Sequence, residues 1–164
     1  MNELAIIIAK YFIILSVLVA VFLLFRLRGK YKKLEYVFYI VVGGALCYLL
    51  AKLGGLLISD PRPFVVGHFT PLISHAADNG FPSDHTLLAS FIGWVALYYS
   101  RKIGVIALIL AALIGLARVY VGVHHLEDII GSFVISGLAA LAVGFTLNYW
   151  SKRKKAPVVA PKKY

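Results

Sequence analysis

Five long apolar stretches constrain the fold of this 164-residue chain more than any other feature. A transmembrane helix needs about 20 apolar residues, so four stretches are long enough to cross a bilayer, and the third needs extra turns from its flanks. The pattern predicts an all-α integral membrane protein, a bundle of about five transmembrane helices. The stretches are Leu4–Phe25, Tyr36–Ile58, His85–Ser100, Ile103–Val121 and Ile129–Trp150.

The overall composition points the same way. The chain is 61% hydrophobic with a mean hydropathy of +0.87, whereas a soluble domain is about half apolar. Its lone cysteine, Cys47, excludes an intrachain disulfide. A net charge of +10 would raise nucleic acid as a partner of a soluble protein, but here the basic residues cluster beside the apolar stretches. We therefore expect membrane lipid, and no nucleic acid, as the partner.

The basic residues also predict the orientation in the membrane. Most of them follow the first, third and fifth stretches, at Arg26–Lys33, Arg101–Lys102 and Lys152–Lys163. With five spans these segments share one side, which the positive-inside rule makes cytoplasmic. The prediction is a multi-pass protein of the cell (plasma or inner) membrane, with residues 1–150 as the transmembrane domain and 151–164 as a basic, disordered cytoplasmic tail.

The opposite, extracytoplasmic side receives all five histidines and all but one of the seven acidic residues. Among them, His124 and Asp128 are four apart and would share a face if they open the fifth helix. Asp128 could then bind one ring nitrogen of His124 and leave the other free to attack. The alternative is a helix cap beside an interfacial histidine. His125 would point about 100° away on a helix and is interpreted as interfacial.

A second polar group precedes the third stretch, in Pro82-Ser83-Asp84-His85. Ser83 or Asp84 can cap the helix, and the free amides at a helix start attract phosphate. His85 would then donate a proton to a leaving oxygen. The alternative is that the segment is only a capping signal.

Three cations complete the candidate site. Arg62 is flanked by two prolines that stiffen the chain, Arg118 ends the fourth stretch, and Lys52 lies two turns from the outer end of the second. The alternatives are lipid headgroup contact and snorkelling. We expect no metal, because adjacent histidines rarely face one ion and the chain has no His-Glu-x-x-His or cysteine pair.

Together these residues resemble the type 2 phosphatidic acid phosphatase superfamily. The segment Gly80-Phe81-Pro82-Ser83-Asp84-His85-Thr86 resembles its branch of bacterial undecaprenyl-diphosphatases. The family pattern is Lys-x6-Arg-Pro, then Pro-Ser-Gly-His, then Ser-Arg-x5-His-x3-Asp. The matching residues here are Lys52 with Arg62-Pro63, then Pro82-Ser83-Asp84-His85, then Ala117-Arg118 with His124 and Asp128.

The resemblance implies a role for each residue. His124 would be the nucleophile that forms a phosphohistidine, Asp128 would orient it, and His85 would be the general acid. No metal or other cofactor is implied. The phosphate oxygens would be held by Lys52, Arg62, Ser83 and Arg118.

The chain departs from the family pattern at three positions. Nine residues separate Lys52 from Arg62 where the pattern has six, and Ala117 replaces a serine. Asp84 replaces a glycine, and we expect it to be an accessory residue that caps the third helix or orients an arginine. The usual member has six spans, and the five predicted here would correspond to all but its first.

The resemblance implies a membrane phosphatase that hydrolyses undecaprenyl diphosphate to undecaprenyl phosphate and phosphate. Phosphatidylglycerophosphate, phosphatidate and a lipid A phosphate are alternative substrates of the same class. A small transporter and a structural membrane protein are alternatives of other classes. The sequence leaves the oligomeric state open.

Overall fold

The computed structural model describes residues 1–155 and is helical almost throughout. The predicted bundle of five long helices is confirmed, and a single helical turn, α3, lies between the second and third of them. Four of the helices are long and apolar enough to cross a membrane. The elements are α1 (Asn2–Arg26), α2 (Lys30–Leu57), α3 (Pro63–Val66), α4 (Asp84–Tyr99), α5 (Arg101–Tyr120) and α6 (Leu126–Lys155).

The ends of α4 and α6 differ from the sequence prediction. α4 gains only one residue, Asp84, from its flanks. It ends at Tyr99 because Ser100 is extended (φ −156°, ψ 111°) and is both the C-cap of α4 and the N-cap of α5. α6 continues to Lys155, so the first five residues of the predicted tail are helical. The rest of that tail, 156–164, lies outside the described residues.

α4 is the central helix, and it packs against all four of the other long helices. α1 covers α5 on one side, while α2 covers α6 on the other. Only 17% of the apolar window of α1 and of α2 is buried, against 39% for α5 and for α6. The outer helices thus present apolar side chains over most of their surface, as a lipid-facing helix does.

A tight hairpin joins α4 to α5 and depends on Gly104. A Cβ atom at Gly104 would lie 2.2 Å from the Cα and 2.4 Å from the backbone nitrogen of Leu97. Small residues at helix contacts let two backbones approach closely, which drives packing where no hydrophobic effect operates between helices. The close approach of α5 to α4 therefore requires a glycine here.

Buried hydroxyl groups join α4 to α6. The Ser90 and Ser136 hydroxyls lie 2.7 Å apart, one on each helix. One turn nearer the site, the Ser132 hydroxyl lies 2.7 Å from the Asp128 carbonyl oxygen and 3.0 Å from that of Ser83. Hydrogen bonds between membrane helices contribute about 0.6 kcal/mol each on average, and here they also fix the register of the two helices that carry the polar motifs.

The two ends of the bundle differ in the way that the topology predicts. At one end the Tyr120 hydroxyl donates to Asn2 Oδ1 at 3.1 Å, so α1 begins where α5 ends. At the other end the Tyr99 hydroxyl donates to Glu35 Oε1 at 3.2 Å, so α2 begins where α4 ends. The histidines therefore collect at the first end, and the segments Arg26–Lys33 and Arg101–Lys102 collect at the second.

Replacing Gly104 with alanine should destabilise the bundle. The added methyl group meets the Leu97 backbone, which cannot rotate away, and overpacking of this kind costs about 1–3 kcal/mol. Gly44→Ala is the matched control, since its Cβ would meet only the Phe91 ring at 3.7 Å, an ordinary contact. We expect a clear drop of the thermal midpoint in detergent for Gly104→Ala alone, and equal midpoints for the two variants would contradict this account.

Candidate active site

A sharp reversal after α5 places His124. Gly122 has φ +83°, a conformation that favours glycine, and its N–H donates to the Val119 carbonyl at 2.9 Å. A Cβ there would also lie 2.7 Å from the Phe69 ring. His124 consequently stands two residues before α6 begins, whereas the sequence interpretation placed it on that helix.

His124 and Asp128 nevertheless meet as predicted. His124 Nδ1 lies 3.1 Å from Asp128 Oδ2, and both side chains are buried. The same carboxylate oxygen accepts the His125 backbone N–H at 3.0 Å, as a carboxylate in the first turn of a helix commonly does. Because an ionised carboxylate only accepts, His124 carries its proton on Nδ1, and its Nε2 is unprotonated.

Arg62 reaches Nε2 of His124 from the loop between α2 and α4. Its Nη1 lies 3.3 Å from Nε2 and donates to the Val123 carbonyl oxygen at 2.8 Å. Asp78 accepts from Arg62 Nε at 2.7 Å, and this hydrogen bond lowers the pKa of the Asp78 carboxyl. The guanidinium is thus 95% buried and held in one orientation beside the histidine.

Arg118 approaches the same nitrogen from α5. Its Nη2 lies 3.5 Å from His124 Nε2, and the side chain is only 3% exposed. Within residues 1–155 its Nε has no hydrogen-bond partner and no carboxylate lies within ion-pair distance. A buried charge without a counter-charge is costly, so the arrangement favours an anion at this point.

The ring of His124 is neutral in this environment. Burial lowers the pKa of His124, and the positive charges of Arg118 and Arg62 lower it further, against the opposing effect of Asp128. A neutral imidazole with a free lone pair is a nucleophile, whereas an imidazolium is not. Burial and the two arginines together thus keep the histidine unprotonated, and the same arginines favour an anion beside it.

Ser83 and His85 lie at the start of α4, next to Asp128. Ser83 is the N-cap residue and fully buried, and its hydroxyl accepts a hydrogen bond from Thr86 Oγ1 at 3.2 Å. Its backbone N–H lies 3.5 Å from the Asp128 carbonyl oxygen. His85 is half-buried in the first turn of α4, and the ionisable groups that interact with it include Arg118, Asp84 and His124.

Asp84 is not the cap that the sequence interpretation allowed. It is the first residue of α4, after the N-cap Ser83, and its side chain is exposed. It forms no ion pair with an arginine in the part of the chain that the structure describes. A carboxylate in the first turn interacts favourably with the positive end of the helix, which is the role its position supports.

Lys52 shares a cleft with Arg62. The cleft has a volume of about 380 Å³ and lies between the outer end of α2 and the loop before α4. Lys52 is exposed, with its Nζ 5.3 Å from the centre of the Tyr48 ring. Asp78 and Asp84 line the same cleft. Despite the wider spacing, Lys52 and Arg62 therefore line one cleft, and the role of Lys52 in binding phosphate stays a prediction.

Asn79, which the sequence analysis missed, holds the loop that carries Arg62. Its Nδ2 donates to the carbonyl oxygens of Gly55 and Ile58, both at 2.8 Å. Its Oδ1 accepts from the backbone N–H of Asp60 at 2.9 Å and of Phe81 at 3.2 Å. One amide side chain thus ties the end of α2 to both ends of the loop. No sequence pattern marks this residue.

His125 and Asp60 form a hydrogen-bonded pair next to Asp128. His125 Nδ1 lies 3.1 Å from Asp60, so His125 is paired within the protein and is not the simple interfacial residue that the sequence analysis expected. Burial raises the pKa of Asp60, and the neighbouring Asp128 raises it further. Ligand atoms of the three residues lie within 4.8 Å of one another, a spacing that suits a cation. Asp128 Oδ2, Asp60 and the His125 ring are hydrogen-bonded to protein groups, whereas Asp128 Oδ1 is buried and has no hydrogen-bond partner among the described residues.

Comparison with known proteins identifies a family, curated relatives and a solved structure that are similar to this chain. Residues 32–153 match the PAP2 superfamily. Undecaprenyl-diphosphatase BcrC of Bacillus subtilis is 38% identical over 73% of this chain, and the putative undecaprenyl-diphosphatase YbjG of Escherichia coli is 33% identical over 87%. A crystal structure of a transmembrane PAP2-type phosphatidylglycerolphosphate phosphatase from Bacillus subtilis covers 95% of this chain, with a TM-score of 0.65 and 26% identity.

The match is extensive but does not cover the whole of these relatives. The chain spans 60% of the length of BcrC, 71% of YbjG and 79% of the chain in the crystal structure. The family match begins in the first turn of α2 and ends in the last turn of α6, and so contains all of the residues that converge on His124. This chain belongs to the PAP2 superfamily.

Proposed function

We propose that this chain is an integral-membrane lipid phosphatase that hydrolyses undecaprenyl diphosphate through a phosphohistidine at His124. The observation that carries the proposal is the convergence of two buried arginines on Nε2 of a neutral histidine whose Nδ1 is held by a carboxylate. Guanidinium nitrogens of Arg62 and Arg118 lie 3.3 and 3.5 Å from the proposed nucleophilic nitrogen, where they can hold a phosphate beside it. This is the geometry that phosphoryl transfer needs.

In the first step, the Nε2 lone pair of His124 attacks the terminal phosphorus. The bond from that phosphorus to the bridging oxygen breaks, and the electron pair leaves with undecaprenyl phosphate. The attacking ring becomes positive, and Asp128 stabilises it through the hydrogen bond from Nδ1. Arg62 and Arg118 neutralise charge on the oxygens of the transferred group, because a planar guanidinium suits phosphate.

In the second step, water attacks the phosphorus and the P–N bond breaks, releasing phosphate and neutral His124. His85, at the start of α4, is the residue proposed to donate a proton to a leaving oxygen and then to accept one from the water. Ser83 and Lys52 are proposed as further phosphate contacts. Lys52 would reach the phosphate through the cleft that it shares with Arg62.

The proposed substrate rests on the relatives. Two of them carry the name undecaprenyl-diphosphatase, one of these as putative, and others are named phosphatidylglycerophosphatase B and lipid A 1-phosphatase. These names support a lipid phosphate as the substrate class, and the higher identity to BcrC favours the isoprenoid diphosphate. The other lipid phosphates are outcomes of the substrate test described below.

The proposed orientation follows from the distribution of charge. The segments Arg26–Lys33 and Arg101–Lys102 lie at the end of the bundle opposite His124. The positive-inside rule then gives a cytoplasmic C-terminus and an active site on the extracytoplasmic side of the cell membrane.

The buried charged residues of the described chain, Arg62, Arg118 and Asp128, lie at one end and do not cross the bundle, which disfavours a transporter.

Replacing His124 with alanine should abolish turnover, because the covalent intermediate cannot form. We expect phosphate release from undecaprenyl diphosphate, measured in detergent with EDTA present, to fall about a thousandfold or more. His68→Asn is the matched control, since His68 is an exposed histidine of the loop between α2 and α4 and asparagine tolerates its positive φ of 51°.

A radiolabelled terminal phosphate tests the intermediate directly. Wild-type protein quenched during turnover should carry label that survives alkali and is lost in acid, as expected for a P–N bond, and His124→Ala should carry none. More than about a tenth of wild-type activity in His124→Ala would contradict the proposed nucleophile. If wild-type protein releases no phosphate from undecaprenyl diphosphate, the same assay is run on the phospholipid phosphates.

Activity should persist below the pH at which an ordinary histidine becomes protonated. The pKa of His124 is lowered from 6.5, so the nucleophilic form is present above the lowered value and is lost as pH falls through it. We expect the acidic limb of kcat/KM, measured between pH 4 and 8, to have its midpoint below 6.5. Arg118→Gln removes one cation and should move the midpoint of the residual activity upward. A wild-type midpoint above 6.5 would contradict this assignment.

A further inference from the structure

A third histidine, His75, stands against the proposed nucleophile and has no part in the mechanism above. It belongs to the loop between α2 and α4, and its ring meets the His124 ring edge-to-face, with centroids 6.1 Å apart and planes at 75°. The side chain is half-buried. His75 lies outside all three sequence motifs, so its position is visible only in the folded chain.

The surroundings of His75 are cationic. Burial lowers the pKa of His75, and the positive charges of Arg62 and Arg118 lower it further. Among the described residues, its ring makes one polar contact, from Nδ1 to the carbonyl oxygen of Ala76 at 3.4 Å, which is a weak hydrogen bond. Its Nε2 therefore remains able to bind a ligand in a region that attracts anions.

A diphosphate and a monophosphate ester place different demands on this region. Both present one terminal phosphate to Arg62 and Arg118, which lie at Nε2 of His124. In a diphosphate the leaving group is a second phosphate with its own negative charge, whereas in a monophosphate it is an alcohol oxygen. A further hydrogen-bond donor or cation beside the nucleophile can bind the leaving phosphate of a diphosphate. A monophosphate has no second phosphate to bind there, so such a group distinguishes the two substrates.

We infer that His75 binds the phosphate that stays on the lipid and thereby makes this site selective for lipid diphosphates over lipid monophosphates. The inference rests on the proposed function and deepens it. His75 is one of the residues nearest to His124 that can both donate a hydrogen bond and acquire a positive charge when a phosphate binds. An adjacent anion favours the protonated ring. The second phosphate therefore raises the pKa of His75 and offsets the lowering of that pKa by the arginines.

The group transfer balances without an additional reactant. The N–P bond forms at His124 Nε2 and the bond from the terminal phosphorus to the bridging oxygen breaks. The electron pair remains on that oxygen, which becomes part of the lipid monophosphate. His75 donates a hydrogen bond to this leaving phosphate while the negative charge on the phosphate increases. His75 transfers no proton in this step.

The test compares two substrates with the same tail. kcat/KM is measured for an isoprenyl diphosphate and for the matching isoprenyl monophosphate with wild type, His75→Gln and the control His68→Asn. His75→Gln should lower kcat/KM for the diphosphate about tenfold to a hundredfold, the effect of losing a hydrogen bond to a charged group, and change the monophosphate less than about twofold. His68→Asn should leave both unchanged, because His68 is exposed.

Competitive inhibition gives a second measurement that does not depend on turnover of the diphosphate. Inorganic pyrophosphate should inhibit His75→Gln about tenfold more weakly than wild type, while orthophosphate should inhibit both equally. The inference would be overturned if His75→Gln lowered kcat/KM equally for both substrates and weakened inhibition equally by both inhibitors. That result would show that His75 only positions His124. No change in either substrate would overturn it as well.

The same experiment separates this inference from the proposed function. Diphosphate hydrolysis by wild type with an unchanged substrate ratio in His75→Gln refutes the selectivity of His75 and leaves the proposed function standing. Hydrolysis of the monophosphate alone, or of neither substrate, by wild type refutes the proposed substrate and the inference with it. The thermal midpoint of His75→Gln shows whether the variant is folded.

Discussion

Two guanidinium groups held side by side in an apolar bundle are the constraint on which the rest of this structure depends. Arg62 and Arg118 are both buried and both reach Nε2 of His124, where their like charges repel each other. Arg62 has the Asp78 carboxylate on one edge, whereas Arg118 has no carboxylate partner among the described residues. Holding them together costs free energy that an anionic ligand offsets, and strain of this kind is typical of functional sites.

The surrounding elements prevent the two arginines from separating. Asn79 closes the loop behind Arg62, and the Gly122 turn brings His124 back over the end of α5. The serine contacts between α4 and α6 then fix Ser83 against Asp128. A site built on rigid helices and a braced loop is preorganised, so little reorganisation is needed when the substrate arrives.

The sequence was informative where a single helix or a short motif carries the signal. The apolar stretches give the ends of α1, α2, α4 and α5 to within a few residues, apart from the start of α2 at Lys30, because length and hydropathy decide what can span a membrane. The spacing from His124 to Asp128 predicted their contact even though His124 lies outside the helix.

Contacts between distant segments could not be predicted in the same way. Asp60 meets His125 across 65 positions, and Asn79 contacts Gly55 across 24. His75 meets His124 from a loop that has no helical or strand periodicity. A single sequence contains no signal for such pairs. The hydroxyls between α4 and α6 were missed for another reason, since hydropathy treats serine as a weak interruption of an apolar stretch.

α4 is short for a membrane-spanning helix, and the loop before it is held by hydrogen bonds within the protein. Its 16 residues rise about 24 Å, which is about 6 Å less than the hydrocarbon core of a typical bilayer. Backbone groups of the segment before α4 have partners within the protein. The Asn79 side-chain oxygen accepts from the backbone N–H groups of Asp60 and Phe81, and the Ser132 hydroxyl donates to the Ser83 carbonyl oxygen. The loop beside the short helix therefore keeps its shape without relying on water, which is what a polar site at the edge of an apolar bilayer requires.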